Sequence, residues 1–271
     1  MQRVLVRGDS ALKKIPAGRW VVHSIYQHAI NLTDHRHRRL ILLAPEQSRL
    51  VPGAILIPTV EYQKLRKNLQ LGQSINFSSL GIALMMANEQ WLFEFGDDFN
   101  LRLPSGKLSL ERCRQYLEEI QNLNFVTGLG LNYQELRKGP SDEAKAVKML
   151  KSQREVAQGV FQLLGRGRGL TPAGDDLLLG WLMAQHLTNR PLPELVKAIQ
   201  RRIASPLYTT TVSRNYLDWA VRGMFSSSLI DLAQYLIGES TVEVGTLIAN
   251  ASDYGSTSGI DTLTGLALAL E

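Results

Sequence analysis

The chain has 271 residues, of which 44 % are hydrophobic and 20 % are charged, so we predict one large domain or two modest ones with a sizeable core. No apolar run approaches the roughly 20 residues that a membrane span needs, and the N-terminus lacks the apolar core of a signal peptide. We therefore expect a soluble, cytoplasmic protein without a membrane partner. The single cysteine, Cys113, excludes an intrachain disulfide and a multi-cysteine zinc site.

The net charge of +5 favours acidic partners or anionic substrates. The densest basic group, residues 35–39, lacks the interleaved aromatic residues that a single-strand nucleic-acid site uses for stacking. We interpret it as a solvated hairpin turn and expect no nucleic-acid partner. No His-Glu-x-x-His spacing indicates zinc, and nothing beyond the neighbouring Asp175 and Asp176 suggests a magnesium site, so we predict no metal or cofactor.

The first hundred residues are predicted to be rich in β-strands, because short apolar segments alternate with proline and glycine. The predicted strands are Trp20–Tyr26, Arg39–Leu43, Ala54–Ile57 and Trp91–Phe95. This spacing is typical of an antiparallel sheet or a small barrel rather than of βαβ units. A helix over Leu108–Leu123 is expected to end this domain, which we place at residues 1–124.

From Ser141 onward the apolar residues recur at helical spacing. The predicted helices are 141–165, Pro172–Leu187, Leu192–Ala204, Thr209–Met224, Leu229–Ile237, Thr241–Asn250 and Ile260–Leu270. We therefore predict an α+β protein in which the β-rich part is followed by an α-helical domain at residues 141–271.

The segment Gly165–Gly180 carries the most information about function. Three alternating glycines at its start permit positive φ angles and the close approach of a ligand to the backbone. Thr171 and Pro172 match the N-cap and first position of a helix, whose unpaired N–H groups are suited to an anion. No Lys-Ser or Lys-Thr follows the glycines, and no strand precedes them, which argues against a P-loop and against a dinucleotide site.

Asp175 and Asp176 fall in the first turn of this helix, where a carboxylate can simply complement the positive helix end. The segment 173–180 nevertheless aligns without gaps on 258–265, and both have the pattern small-Gly-x-Asp-x-Leu-x-Gly. Two such segments predict two helix starts that face one site. The alternative is that Gly180 and Gly265 only allow close helix packing while the aspartates cap their helices.

Between the two segments lies Ser205–Tyr216, which contains three consecutive threonines and Arg214. Threonine hydroxyls favour helix starts, and Arg214 one turn later is a candidate donor to a phosphate or a carboxylate. A helix capped by Ser and Thr, without any ligand, explains each of these residues equally well.

The three motifs together closely resemble the AllH family: Gly-x-Gly-x-Gly-Leu-Thr-Pro-x-x-Asp-Asp, then Thr-Thr-x-Val-Ser, then Thr-Ser-Gly-x-Asp-Thr-Leu-x-Gly. The resemblance implies a subunit of an oxamate carbamoyltransferase that works with AllF-like (FdrA-like) and AllG-like partners in allantoin catabolism. The implied reaction converts oxalurate and phosphate to oxamate and carbamoyl phosphate, all of them small anions. The family does not assign roles to individual residues.

Site roles are therefore predicted from physical chemistry. The transferred carbamoyl carbon becomes tetrahedral and negatively charged, so oriented donors can supply most of the catalysis. We predict that the catalytic carboxylates are Asp175, Asp176 and Asp261, which accept hydrogen bonds from carbamoyl or amide N–H groups, with one of them as general base. The predicted anion-binding residues are Arg166, Gly167, Gly169, Thr171, Gly174, Arg214, Thr257, Ser258 and Gly259.

Two other hypotheses remain open from the sequence. The first is a non-catalytic subunit that stabilises or regulates a partner enzyme through its apolar helices. The second is a stand-alone enzyme that acts on another small anionic substrate.

Overall fold

The computed structural model describes residues 1–36, 39–86, 88–188, 192–253 and 255–271. They form two compact units, Met1–Leu101 and Arg102–Glu271. Across these described ranges, no helix combines the length and the apolar character that crossing a membrane requires. Within the basic group that we predicted to form a hairpin turn, His37 and Arg38 lie outside the described residues, whereas His35 and Arg36 form a turn.

The described part of the first unit is an eight-stranded closed barrel. Its strands are β1 (Gln2–Asp9), β2 (Gly18–Ile25), β3 (Ile30–Asp34), β4 (Leu40–Pro45), β5 (Ala54–Ile57), β6 (Ser74–Ser78), β7 (Gly81–Met86) and β8 (Glu89–Phe99). The order around the barrel is β1-β5-β4-β3-β2-β6-β7-β8, and β8 closes it by parallel pairing with β1. A second parallel pair joins β4 to β5, and the other neighbours are antiparallel.

The barrel confirms the prediction of a β-rich first part. Its interior is filled by the apolar side chains that alternate along strands such as β2, where Trp20 and Val22 are buried. Helix α1 (Thr59–Asn68) follows β5, and a short 3-10 helix, Ser10–Lys14, follows β1.

The start of that 3-10 helix contains a buried aspartate, Asp9, which is 1 % exposed. Its Oδ1 accepts a hydrogen bond from the N–H of Ala11 at 2.9 Å, and its Oδ2 accepts one from the N–H of Gly53 at 2.8 Å. Burial raises the pKa of Asp9, whereas these two hydrogen bonds lower it. Both carboxyl oxygens therefore have partners, which explains how a carboxyl group is accommodated in the barrel.

The described part of the second unit contains ten helices, which confirms the prediction of an α-helical second part. They are α2 (Leu110–Leu123), α3 (Tyr133–Lys138), α4 (Asp142–Leu150), α5 (Val156–Leu163), α6 (Ala173–Thr188), α7 (Pro193–Ile203), α8 (Thr211–Val221), α9 (Ser227–Leu236), α10 (Val244–Ser252) and α11 (Ser258–Leu270). The core between them includes almost all of α6, which agrees with the apolar composition of that helix on every face.

The boundary between the units lies earlier in the chain than residues 124–141, where we expected it. Helix α2 belongs to the helical unit, because the buried hydroxyl of Tyr116 donates to the carbonyl of Leu263 in α11 at 2.7 Å. The expected join instead contains α3, which starts at a capping box formed by Asn132 and Glu135.

The helix that we predicted over residues 141–165 is two helices, α4 and α5, separated by residues 151–155. They pack closely, since a methyl group at Gly159 would lie 2.8 Å from the carbonyl oxygen of Ala146. The sequence Lys-Ser-Gln-Arg-Glu between them has no apolar residue to continue the buried face of either helix.

Candidate functional site

Helices α6 and α11 cross at two glycines that each face a carbonyl of the other helix. A methyl group at Gly180 would lie 2.0 Å from the carbonyl oxygen of Thr262, and one at Gly265 would lie 2.1 Å from that of Leu177. In the gapless alignment of the two segments, Gly180 corresponds to Gly265 and Leu177 to Thr262. The close packing that we considered as an alternative is therefore present, and it is reciprocal.

The same correspondence extends to the helix that precedes each segment. A methyl group at Gly174 would lie 2.0 Å from the carbonyl oxygen of Leu163, in the last turn of α5. One at Gly259 would lie 2.1 Å from the carbonyl oxygen of Ala251, near the end of α10. The pairs α5–α6 and α10–α11 are thus related by an internal repeat, which brings equivalent helix starts to one place.

Asp175 is the carboxylate at these helix starts whose two oxygens both accept hydrogen bonds. It is 1 % exposed, and it accepts hydrogen bonds from the N–H of Gly165 at 2.6 Å, from the hydroxyl of Ser213 at 2.5 Å and from the hydroxyl of Thr209. Burial raises its pKa, whereas these three donors lower it. Asp175 therefore links the glycine loop (Gly165–Gly169) to the start of α8, and this is a structural role.

Asp176, one residue later, lies in a different environment. It is 5 % exposed, and its Oδ2 has no hydrogen-bond partner among the described residues. Burial raises its pKa to about 8; the hydroxyls of Ser258 and Thr171 act against this shift, and the charge of Asp261 adds to it. At neutral pH this carboxyl group is therefore mostly protonated.

Asp261, the equivalent residue at the start of α11, is also buried and has an open oxygen. Its Oδ1 accepts a hydrogen bond from the N–H of Gly128 at 2.8 Å, while its Oδ2 has no partner within the described ranges. Burial raises its pKa to about 6, and the N–H of Gly128 and the hydroxyl of Thr257 lower it. The hydroxyls of Thr171 and Ser258, 2.7 Å apart, join the two helix starts.

Gly128 is a site residue that we did not predict. A methyl group there would lie 2.7 Å from Thr257 Oγ1, 2.9 Å from Ala173 Cβ and 3.1 Å from Asp261 Oδ2. The loop that contains Gly128 therefore packs against both helix starts, and a glycine is needed for it to do so. Its only indication in the sequence is a glycine pair, Gly128 and Gly130, in the segment that we took for a domain join.

Two of the predicted cationic ligands are engaged elsewhere. The guanidinium of Arg166 donates to Glu143 Oε1 from Nε at 3.0 Å and from Nη2 at 2.7 Å. The Nε of Arg214 donates to the carbonyl of Ile203 at 2.7 Å, and this arginine is buried. The structure thus brings together Thr171, Thr257 and Ser258 with the two open carboxyl groups, but neither of these guanidinium groups.

The predicted glycine ligands also differ from one another. Gly167 and Gly169 lie in the exposed loop with φ angles of 112° and 96°, which side chains rarely adopt. The N–H of Gly174 donates to the carbonyl of Arg166 at 2.8 Å, and Gly259 packs against α10. Gly174 and Gly259 therefore serve helix packing, and only the first two glycines belong to an open loop.

Two buried carboxyl groups with different proton affinities can divide the work of a proton transfer. Near neutral pH, Asp176 can donate a proton while the ionised Asp261 accepts hydrogen bonds, and the hydroxyls of Thr171, Thr257 and Ser258 add donors. Among the described residues, no group of three His, Cys, Asp or Glu side chains is placed to hold a metal ion. The arrangement suits a substrate with both N–H donors and a group that needs a proton.

Comparison with known protein families agrees with the division of the chain. The AllH family N-terminal domain matches residues 4–103, and the model described as oxamate carbamoyltransferase subunit AllH matches residues 163–270, which include both aspartate segments. No solved structure matches the chain. The two family models cover nearly the whole sequence in the expected order, so the chain belongs to the AllH family of oxamate carbamoyltransferase subunits.

Proposed function

We propose that this chain is an active-site subunit of an oxamate-type carbamoyltransferase. The reaction would convert oxalurate and phosphate to oxamate and carbamoyl phosphate, in the cytoplasm, during allantoin and purine catabolism. The observation that carries the proposal is the pair of buried carboxyl groups, Asp176 and Asp261, each with an oxygen that has no partner among the described residues. An unpaired polar atom in a buried position is costly, and such atoms concentrate at functional sites.

The chemistry gives each carboxyl group a separate task. A phosphate oxygen attacks the carbamoyl carbon of oxalurate, and the bond from that carbon to the oxamate nitrogen breaks. The leaving nitrogen needs a proton, which Asp176 donates because its pKa of about 8 keeps it protonated at neutral pH. The carboxylate that remains then regains its proton from solvent.

Asp261 holds the transferred group. Its pKa of about 6 leaves it ionised at neutral pH, so its open Oδ2 accepts a hydrogen bond from the carbamoyl NH₂ group. The hydroxyls of Thr171, Thr257 and Ser258 lie beside the two carboxyl groups and would turn away from them to donate to the oxygen that becomes negative in the tetrahedral intermediate. A positioned general acid usually increases the rate by roughly 10²–10⁴-fold, and we expect a contribution of this size from Asp176.

The partners of the subunit in this proposal are AllF-like (FdrA-like) and AllG-like chains. The family description names a subunit of an enzyme. The identity of the partners is what the resemblance of the sequence motifs implies. Turnover is therefore expected only from the assembled complex.

The test is phosphate-dependent formation of carbamoyl phosphate from oxalurate, measured with the chain alone and with both partners. Activity that needs the mixture and falls at least about 100-fold in Asp176→Asn supports the proposal. Asp231→Asn, at an exposed aspartate on α9, is the matched control and should keep full activity. Activity that survives both Asp176→Asn and Asp261→Asn would assign a scaffold role instead, and activity of the chain alone would assign a stand-alone enzyme.

A further inference from the structure

The two open carboxyl groups of Asp176 and Asp261 lie where no positive charge of the described residues reaches them. None of the groups that shift the pKa of either residue is a lysine or an arginine. The glycine loop has two arginines: Arg166 is held by Glu143 through two hydrogen bonds, and Arg168 is exposed and is not among the groups that shift the pKa of Asp176 or Asp261. The charges that act on the pKa of Asp176 are those of Asp261 and Asp175, and both are acidic.

Four backbone N–H groups at the helix starts, among them those of Asp176 and Asp261, are already paired. At the start of α6, the N–H of Gly174 donates to the carbonyl of Arg166, and those of Asp175 and Asp176 donate to the carbonyl of Pro172. At the start of α11, the N–H of Asp261 donates to the carbonyl of Thr257. A helix start binds an anion through N–H groups that are still unpaired, so these four offer nothing to phosphate.

A phosphate ion at this place would therefore meet carboxyl groups without a compensating cation. Like charges at close range in a site of low polarity repel one another strongly. A carbamoyl or ureido group has the opposite character, because it is neutral and presents N–H donors to carboxyl oxygens and a carbonyl to hydroxyl donors. The site is therefore suited to the ureido group of oxalurate and unsuited to phosphate.

We infer that this subunit binds the neutral carbamoyl or ureido group of the substrate between Asp176 and Asp261, and that the cations which hold phosphate are supplied by a partner subunit. The inference rests on the proposed function and deepens it. The active site is then shared between chains, which explains why a subunit with catalytic carboxyl groups would need partners for turnover.

The test compares two probes on the full chain without partners, by following backbone amide resonances in NMR. Methylurea represents the ureido group, and inorganic phosphate represents the anion. We expect methylurea to shift the resonances of Gly128 and Thr257, with at least tenfold weaker binding in Asp261→Asn. Phosphate at the same concentration should leave these resonances unchanged.

Three results would overturn the inference. The first is phosphate binding at Gly128 and Thr257 as strong as that of methylurea, and the second is an absence of any methylurea shift there. The third comes from the assembled enzyme, where a KM for phosphate that rises at least tenfold in Asp261→Asn would place phosphate beside this residue. We expect that KM to stay level or to fall, because the variant removes a negative charge, while kcat decreases.

The two proposals fail separately. An assembled enzyme without any carbamoyl transfer would remove the proposed function, whatever the chain alone binds. An assembled enzyme that turns over, together with strong phosphate binding by the chain alone at Gly128, would remove only the shared-site inference. Asp231→Asn serves as the control for both measurements.

Discussion

The barrel and the helical unit each bury aspartates, but the hydrogen bonding of the carboxyl oxygens differs between them. In the barrel, both oxygens of Asp9 accept hydrogen bonds from backbone N–H groups. In the helical unit, Asp175 is bonded just as completely, whereas Asp176 and Asp261 each keep one oxygen without a partner among the described residues. Burial alone therefore does not mark a functional carboxyl group in this protein; the open oxygen does.

The helical unit can tolerate these open oxygens because its helices are held firmly by other contacts. A buried polar atom without a partner costs about 1–3 kcal/mol. Among the described residues, the helical unit holds two such carboxyl oxygens, on Asp176 and Asp261, besides Tyr133 Oη and Trp219 Nε1. The crossing of α6 and α11 brings the backbones together at Gly180 and Gly265, and this packing stabilises the unit. In the barrel, the buried carboxyl group of Asp9 has partners for both oxygens, so the stability of the barrel and the function of the helical unit should respond to different mutations.

The largest expected effect separates Asp176 from Asp9. Asp176→Asn should lower kcat of the assembled enzyme at least about 100-fold, because the amide cannot supply the proton that the leaving nitrogen needs. Its free energy of unfolding at pH 7 should not fall and should rise where the amide fits the site of the neutral carboxyl group, since the wild-type chain loses stability by holding that group protonated at pH 7. Urea unfolding and turnover, measured on the same preparation, check both statements.

Asp9→Asn should show the opposite behaviour. The amide places an N–H group where an oxygen accepted a backbone N–H, so the free energy of unfolding should fall by about 2 kcal/mol. Turnover per folded molecule should remain unchanged. If Asp176→Asn destabilised the chain as much as Asp9→Asn while the enzyme kept its activity, the distinction between the two kinds of carboxyl group would be lost.

The next largest effect tests the helix crossing. Gly180→Ala should lower the free energy of unfolding by about 2 kcal/mol or more, because its methyl group would lie 2.0 Å from the carbonyl oxygen of Thr262 and would push the helices apart. Gly18→Ala in the barrel is the control, since nothing lies within 4 Å of the added carbon. Equal stability of the two variants in urea unfolding would show that the close approach of α6 and α11 is not required.

The pH dependence of stability should also single out Asp176, whose pKa is raised further than that of Asp261. The pKa of Asp176 is raised from 3.8 to about 8, so the folded chain holds its proton over a range in which the unfolded chain has lost it. The stability that this proton contributes is complete below about pH 4 and is lost as the pH rises through about 8. Asp261 adds a smaller loss of stability, which ends near pH 6. The pKa of Asp175 is also raised, so its contribution to stability has the same sign.

Asp176→Asn removes the largest part of this dependence. Between pH 5 and pH 9, the wild-type chain should therefore lose at least about 1 kcal/mol more of its free energy of unfolding than the variant does. Urea unfolding at intervals of one pH unit measures the difference. Parallel curves for the two chains would mean that Asp176 is ionised in the folded state, and the proposed general acid would have to be abandoned.

The helical part of the fold was largely predictable, because its information is local. Helices α7 to α11 show apolar periodicity, α6 is a continuous apolar run, and the repeated segments 173–180 and 258–265 can be compared directly in the sequence. The strands β1, β3, β6 and β7 and helix α1 were not predicted. The pairing of β1 with β8, for example, joins the first and last strands of the barrel, and no local sequence pattern predicts which strand is the partner.

The candidate site shows the same limit at the level of single residues. Asp175 and Asp176 are adjacent in the sequence, and only tertiary contacts, such as that from Ser213, show that the first is structural. Gly128 reaches Asp261 across a sequence separation of 133 residues, so its role could not be inferred from its neighbours. Local motifs identified the helix starts, and three-dimensional packing determined which of their groups remain open.

The smallest expected effect concerns Arg166, which the sequence predicts to be an anion ligand. Its side chain is 55 % exposed and is bound to Glu143, and exposed ion pairs contribute about 0–1 kcal/mol to stability. Arg166→Ala should therefore lower the free energy of unfolding by less than about 1 kcal/mol and change neither kcat nor the KM for phosphate by more than about threefold. Glu143→Gln, which removes the other half of the same ion pair, should have an effect of the same size. A KM for phosphate that rises at least tenfold in Arg166→Ala but not in Glu143→Gln would mean that Arg166 leaves Glu143 to bind phosphate. In that case the chain would supply its own cation, and a partner subunit would no longer be needed to explain how phosphate is held.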